Sequence, residues 1–342
     1  MRRTLAALVA ALLPLAAFPA SAGAAEPPAT APTDTAREAA EEAERERARQ
    51  GAPKAGAKDW AFGLYTGVQY DDNATLRNRH VDVGDERTDW KSVNALFVDY
   101  RLVNTDDRIL GLRYNAYQTV LDSHKQHQLT GNTITLHHTE IHAPFVLDLP
   151  ASFTHYDLYG DAFLNLSSFA PALYLEESAH LVGVLRGAAR RFDYTDLPDS
   201  GCYEPDRSAH VYEAGLEQWL LFGERGQYRL EAGYSFRHEN ARENVWTNDA
   251  GEARLALRGE LPWWRLGLDL SATYTEKVFE RDNPLFEATE RDRAAAYGLA
   301  VSRPIMAHAT ATLSYLYTDH QSNVESQEYR RNQITLGVTV LF

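Results

Sequence analysis

The sequence predicts an all-β protein, a transmembrane antiparallel up-and-down barrel of about 14 strands. Three observations predict it. From Trp60 onward, apolar and polar residues alternate with a period of two, the mark of strands with one apolar and one polar face. The alternating segments are about ten residues or longer, the length of a tilted membrane strand. The connections between them alternate short and long, as the turns and loops on the two sides of an outer membrane do. A soluble β-sandwich also alternates. Two features favour the barrel. Charged residues recur on the polar face, and Tyr and Trp gather near segment ends (Trp60, Tyr70, Trp90, Tyr100, Trp263, Trp264, Tyr315 and Tyr317). A wet interior permits the first, and interfacial girdles are built of the second.

Average composition hides this pattern. The chain has 342 residues and a formal net charge of −14, with a mean hydropathy of −0.43. Those values suit a soluble acidic protein, because only half of each membrane strand faces lipid. With 48 Asp and Glu against 34 Lys and Arg, the chain lacks the basic excess of a nucleic-acid binder. A single cysteine, Cys202, excludes an internal disulfide and a Cys-based metal site. Beyond the first segment, no uncharged apolar run approaches the ~18 residues of a membrane helix.

In chain order, residues 1–22 read as a secretory signal peptide. Arg2 and Arg3 form its basic start, Leu5 to Phe18 its apolar stretch, and Ala20-Ser21-Ala22 its cleavage site. Cleavage removes Arg2 and Arg3 and takes the net charge from −14 to −16. Residues 23–58 are rich in Ala, Glu, Arg and Pro. Thr35 to Gln50 forms helix readily but has no apolar stripe, so this zone is expected to be a solvated periplasmic tether. A short docking helix for a periplasmic partner is the other reading. Residues 59–342 are the expected barrel.

The expected strands are 60–70, 88–102, 108–120, 129–147, 153–165, 168–176, 180–193, 208–222, 227–239, 251–261, 264–279, 293–303, 308–319 and 329–342. A twelve-strand count is the alternative. Short turns are expected at Asn104–Asp107, Leu149–Ala151, Glu176–Ser178, Gly223–Gly226, Leu261–Trp263 and Arg303–Ile305. Longer loops are expected at Asp71–Asp89, Leu121–Thr130, Thr195–Arg207, Glu239–Ala250, Glu280–Asp292 and Asp319–Glu328, with a further, shorter connection near Leu166. An even strand number puts both ends of the barrel on the periplasmic side.

The last strand sets Ile334, Leu336, Val338, Val340 and Phe342 on one face against Gln333, Thr335, Gly337 and Thr339 on the other. With Tyr329 at its start and a terminal Phe, it resembles the signal by which outer-membrane proteins are recognised. That resemblance implies folding by the barrel assembly machinery. Further pieces are Gly67-Val-Gln-Tyr70-Asp71-Asp72-Asn73, Glu290-Arg291-Asp292, Leu313-Ser-Tyr315-Leu-Tyr317 with Ser322-Asn323, and Tyr329 to Asn332. In that order they resemble the barrel of the surface lipoprotein assembly modifier family and of related repeat-linked exporters. The resemblance covers about 60–342 and implies export with a periplasmic repeat protein or a lipoprotein cargo. Those families usually carry an N-terminal helical repeat domain, and 23–58 is too short for two ~34-residue repeats.

No catalytic constellation emerges. His124 and His127, His137 and His138, and His320 beside Asp319 lack the spacing of a nucleophile, base and orienting group. They read as loop or rim histidines. Asp122 with His124 and His127, and Asp71-Asp72-Asn73 as a Ca²⁺ loop, are weak ligand patterns. No metal and no cofactor is assigned.

By alternation, the candidates for lining a lumen are Asp99, Arg101, Arg113, Asp157, Asp161, Glu213, Glu217, Arg229, Glu231, Arg237, Arg254, Arg258 and Asp269, with His155, Glu260 and Arg265 beside them. They read either as an ion-pair network that stabilises the wall or as a polar conduit that selects solutes. Fourteen strands lie between a side-chain-filled barrel of about 8 and an open channel of 16–18. The Asp71–Asp89 and Glu280–Asp292 loops are therefore candidates for a plug or lid. The acidic loop residues (Asp71, Asp72, Asp82, Asp85, Glu86, Asp89, Asp196, Asp199, Glu204 and Asp206) repel anions, attract cations, or bridge to lipopolysaccharide through divalent ions. The expected activity is passage of a polar substrate across the outer membrane, by a porin-like channel or by a dedicated export barrel, without covalent chemistry.

Overall fold

A computed structural model describes residues 60–74, 88–123, 125, 128–195, 207–223, 227–261, 265–283 and 288–342. The expected leader and tether lie outside these residues. So do His124, His127, Cys202, Trp263, Trp264, Asp82, Asp85, Glu86, Asp196, Asp199, Glu204 and Asp206.

The described chain is built of strands β1 (Trp60–Asp71), β2 (Asp89–Asn104), β3 (Arg108–Leu121), β4 (Leu129–His142), β5 (Phe145–Leu158), β6 (Asp161–Phe169), β7 (Ala172–Glu176), β8 (Leu181–Tyr194), β9 (Ala209–Phe222), β10 (Tyr228–Ala241), β11 (Asn248–Leu261), β12 (Leu266–Asn283), β13 (Ala288–Met306), β14 (Ala309–Ser322) and β15 (Tyr329–Leu341). Neighbours in sequence pair antiparallel, and β1 pairs with β15 from Gly63↔Leu341 to Asp71↔Gln333. The wall therefore closes on itself and leaves no free edge. Strands β6 and β7 belong to one stave. On β5, Phe169 opposes Ala151 and Ala172 opposes Asp148. On β8, the same two residues oppose Ala189 and Arg186. Fifteen strands thus make 14 staves.

Alternation becomes two faces. Along β1, Trp60, Phe62, Leu64 and Val68 are exposed, while Ala61, Tyr65, Gln69 and Asp71 are buried. Leu112, Ile134, Phe153, Leu216, Tyr234, Leu255, Tyr297 and Leu313 continue the exposed apolar band around the wall. So large an outward apolar surface on a closed barrel is a lipid-facing band. Aromatic contacts mark its two margins. Trp60 and Tyr100 (4.5 Å), Phe62 and Phe342 (5.9 Å), and Phe222 and Tyr228 (5.4 Å) lie at one rim, and Tyr70 and Trp90 (5.2 Å) at the other. The first rim carries the short turns and both ends of the barrel, joined by Phe62 N–H to the Phe342 carbonyl at 3.3 Å. It is the periplasmic side by the short-turn rule.

Four expected boundaries are corrected. The turn expected at Arg303–Ile305 lies inside β13, while the chain reverses at Ala307-His308. The turn expected at Leu149–Ala151 lies inside β5, and the chain reverses instead at Ala143-Pro144. Proline usually ends a strand, yet Pro150 lies inside β5. Here the Pro150 carbonyl accepts the Ala170 N–H, so its own missing N–H faces the interruption between β6 and β7. The connection expected near Leu166 lies inside β6. The reversal is the two-residue turn Tyr159-Gly160, where both residues have positive φ (55° and 93°). The 168–176 strand is the lower part of that interrupted stave. The count of 14 survives because these shifts move boundaries without removing a stave. The Glu280–Asp292 loop is also corrected as a lid. Strands β12 and β13 run through most of it, with Asn283 still paired to Ala288.

Candidate functional site

The inward face is the candidate site. Register places Asp99 and Arg101 on β2, Arg113 on β3, Glu213 and Glu217 on β9, Arg229, Glu231 and Arg237 on β10, Arg254 and Arg258 on β11, and Asp269 on β12 on that face. Four candidates are corrected: His155, Asp157, Asp161 and Arg265. Asp157 shares the face of exposed Phe153 and bonds His155 at 3.1 Å on the outside of the wall. Asp161 is exposed beside the Tyr159-Gly160 turn. Alternation along β5 is unbroken against β4, so His155 and Asp157 follow Phe153 outward although they are polar. The one extra residue here, Phe163, belongs to β6. Arg265 sits in a turn at φ 52° and is exposed, and Glu260 faces inward opposite Gly267.

The inward charges join side to side. Arg186 on β8 binds Glu217 at 3.0 Å, and Glu217 accepts the Trp219 indole N–H at 3.0 Å. The Arg229 guanidinium lies 4.6 Å from the Trp219 ring centroid and 2.6 Å from Glu231. Glu231 is 3.4 Å from Arg258, which reaches Asp269 at 2.9 Å. Arg229 and Arg258 are direct cross-strand partners, a like-charge placement that destabilises a sheet on its own. Glu231 between them makes it tolerable. One charged chain thus spans five adjacent staves. A second group on β2–β5 has Arg113 on Asp99 at 2.9 Å, His137 at 4.0 Å from Asp99, and Thr139 donating to buried Asp148 at 2.7 Å.

Two apolar clusters flank this belt inside the barrel. Leu129, Phe163, Leu164, Leu166, Phe192 and Val211 fill the outer end. Val146, Ala172, Tyr174, Val182, Val184 and Trp219 fill the periplasmic end. The expected rule of apolar outside and polar inside fails here. The signal was present: Ala172-Leu-Tyr-Leu and Leu181-Val-Gly-Val-Leu are nearly unbroken apolar runs, as strands covered on both faces are.

The inner wall beyond the charged chain is built differently. Ser271 and Thr273 on β12, Ala294, Ala296, Gly298 and Ala300 on β13, and Thr312 and Ser314 on β14 are small, inward by register, and only partly buried. Water therefore reaches this side of the interior.

The closing seam uses the motif residues. Asp71 binds Arg331 at 2.7 Å and Lys91 at 3.1 Å. Asp72 takes the Asn332 backbone and side-chain N–H groups at 2.6 Å each, and the Asn73 amide donates to the Arg330 carbonyl at 2.9 Å. The Asp71-Asp72-Asn73 run is thus spent on joining first stave to last rather than on a Ca²⁺ loop. Ile334, Leu336, Val338, Val340 and Phe342 share the outward face of β15. Tyr329 points inward and stacks on His320 at 4.8 Å. His137 and His138 point to opposite faces and cannot act as one site.

A closed antiparallel barrel with an outward apolar band, aromatic margins and a charged interior defines the class: a transmembrane β-barrel of the outer membrane. No protein-family model and no curated protein matches the chain. Among solved structures it is similar to outer-membrane-expressed OmpT of Vibrio cholerae (11% identity, 83% of this chain and 97% of that one, TM-score 0.48). It is also similar to OccAB4 of Acinetobacter baumannii (9% identity, 83% and 99%, TM-score 0.46) and to an anion-selective porin from Comamonas acidovorans (8% identity, 82% and 98%, TM-score 0.42).

Proposed function

We propose that the barrel is a porin-like conduit that passes small polar solutes across the outer membrane along the inner wall of β12–β14. The observation that carries this reading is the asymmetry of the interior. Apolar clusters occupy the β4–β9 side and the charged chain runs round to Asp269 on β12, while beyond it the mid-barrel residues of β12–β14 are small, partly hydroxyl-bearing and wet. A passage between fixed charges and a wall of small side chains selects by size and charge. The ion-pair network serves both purposes, since it rigidifies the wall and sets the field that a solute meets.

Planar-bilayer recording tests it. The purified barrel is expected to give a steady open conductance, and Ala300→Trp or Gly298→Trp is expected to reduce it by filling the wet side. A barrel that is folded by heat-modifiable gel mobility but passes no current would sink the proposal.

A further inference from the structure

At the outer rim, three staves bring metal-ligating side chains together on the outside of the wall. His238 on β10 and Asp249 on β11 are direct register partners, with His238 Nδ1 2.8 Å from Asp249 Oδ1. Glu280 on β12 lies two positions beyond Val278, the partner of Asp249. One ligand atom from each of the three lies within 4.8 Å of the other two. The placement of Glu280 is built. Its N–H donates to the Thr247 carbonyl at 2.9 Å, and the Thr247 hydroxyl accepts the Ala241 N–H at 3.2 Å. The loop between β10 and β11 is thereby tied to β12.

The level of the cluster is also defined. On β10 the outward residues Tyr228, Leu230, Ala232, Tyr234 and Phe236 are apolar or aromatic. That run is the length, about 9–11 residues when tilted, that crosses a bilayer core. His238 is the next outward residue. The cluster therefore sits where the apolar band ends and lipid headgroups begin.

We propose that His238, Asp249 and Glu280 form a divalent transition-metal site whose open coordination position takes a phosphate oxygen of the outer-leaflet lipid. One imidazole and two carboxylates suit Zn²⁺, and three protein ligands leave a fourth tetrahedral position open. The ligand atoms, within 4.8 Å of one another, would close round an ion at the roughly 2.0–2.2 Å bonds that Zn²⁺ makes with nitrogen and oxygen. The site is on the opposite face of the wall from the conduit and does not depend on it.

The test is Zn²⁺ titration of the folded full-length barrel in a phosphate-free neutral detergent, with Co²⁺ absorption as the spectroscopic readout. The parent chain carries His124→Ala and His127→Ala, so that the histidine-bearing loop adds no background. One equivalent of Zn²⁺ is expected. His238→Ala, Asp249→Asn or Glu280→Gln is expected to weaken it by roughly tenfold or more, the scale on which even outer-sphere partners of a metal act. Heat-modifiable mobility checks that each variant is folded. Equal binding by the parent and the triple variant, or no binding by the parent, overturns the site. Phosphatidylglycerol micelles are expected to tighten Zn²⁺ binding in the parent and not in the triple variant. Tightening by inorganic phosphate alone, or by neither, overturns the lipid bridge.

Discussion

Asp71, the last residue of β1, accepts the guanidinium of Arg331, near the start of β15, at 2.7 Å across the seam that closes the barrel. Lys91 of β2 donates to the same carboxylate at 3.1 Å, and the Asp71 side chain is fully shielded from solvent. Two cations on one carboxylate hold the first, second and last staves together. Removing the carboxylate leaves both cations buried without their anion, which costs about 3–5 kcal/mol for a buried pair. Asp71→Ala is expected to lower the urea midpoint of the folded barrel well below that of Asp72→Ala. Equal midpoints would show that the seam does not depend on this pair.

A second prediction concerns the steric fit beside that pair. The Tyr65 ring lies over Gly67 on its own strand and Gly337 on β15, and a Cβ at Gly337 would overlap it. Glycine is required there for close approach, not for φ. Gly337→Ala is expected to cost about 1–3 kcal/mol by overpacking, while Gly337→Ala with Tyr65→Phe recovers part of it because the overlap includes the hydroxyl. Thermal gel-shift midpoints measure both.

In the charged chain, Glu231 separates Arg229 from Arg258. Glu231→Gln removes one negative charge and leaves two arginines directly opposed. Reversal potentials under a salt gradient are expected to move toward anion preference. Arg258→Ala is expected to move them toward cation preference. No change in either variant would mean that solutes do not pass this belt.

On the outward face, Leu336 opposes Val68 on one side and Leu313 on the other, and all three are exposed. Leu336→Arg puts a charge in the lipid band, at about 2–4 kcal/mol if it lies at the midplane. Thr312→Arg, on the neighbouring strand, points into the partly buried, wet side of the interior. The expected result is a much larger loss of folded barrel in lipid vesicles for the first variant. Equal losses would reverse the assignment of faces.

At the periplasmic rim, Thr105 donates to Asp107 at 2.8 Å in the β2–β3 turn. This hydrogen bond, with one from the Asp107 backbone, holds the exposed carboxyl below its ordinary range. A depressed folded-state value means stabilisation that is present at neutral pH and lost as pH falls through it. An NMR titration is expected to show Asp107 returning toward the ordinary aspartate value in Thr105→Ala.

Much of this fold is legible in the sequence. Strict alternation along β1 and β15 gives both faces residue by residue, because a period of two leaves no ambiguity once one face is lipid. What alternation cannot show is where both faces are apolar. From Phe145 to Phe192 the inner clusters erase the contrast, so three strand boundaries drift. His155 and Asp157 then fall on the wrong face, because they are polar yet share the outward parity of Phe153 on an unbroken β5. Nor does spacing reveal long-range partners. The Asp71-Asp72-Asn73 run is visible as a cluster of ligand-like groups, but its partners at 330–332 lie at the other end of the chain. His238, Asp249 and Glu280 do not stand out in the sequence for the same reason, since they meet only when three staves are laid side by side.

The interrupted stave sets a rule for how this wall can change length. Two residues, Ala170 and Pro171, separate β6 from β7, and both pieces keep even-numbered residues inward: Leu166 and Ser168 before the gap, Tyr174 after it. An interruption of one residue would turn the lower piece inside out, placing Leu173 and Leu175 in the interior and Tyr174 in lipid. Insertions or deletions at this point are therefore tolerable only in pairs. The gap is a joint at which related sequences could differ in length by even numbers while keeping the same inside and outside.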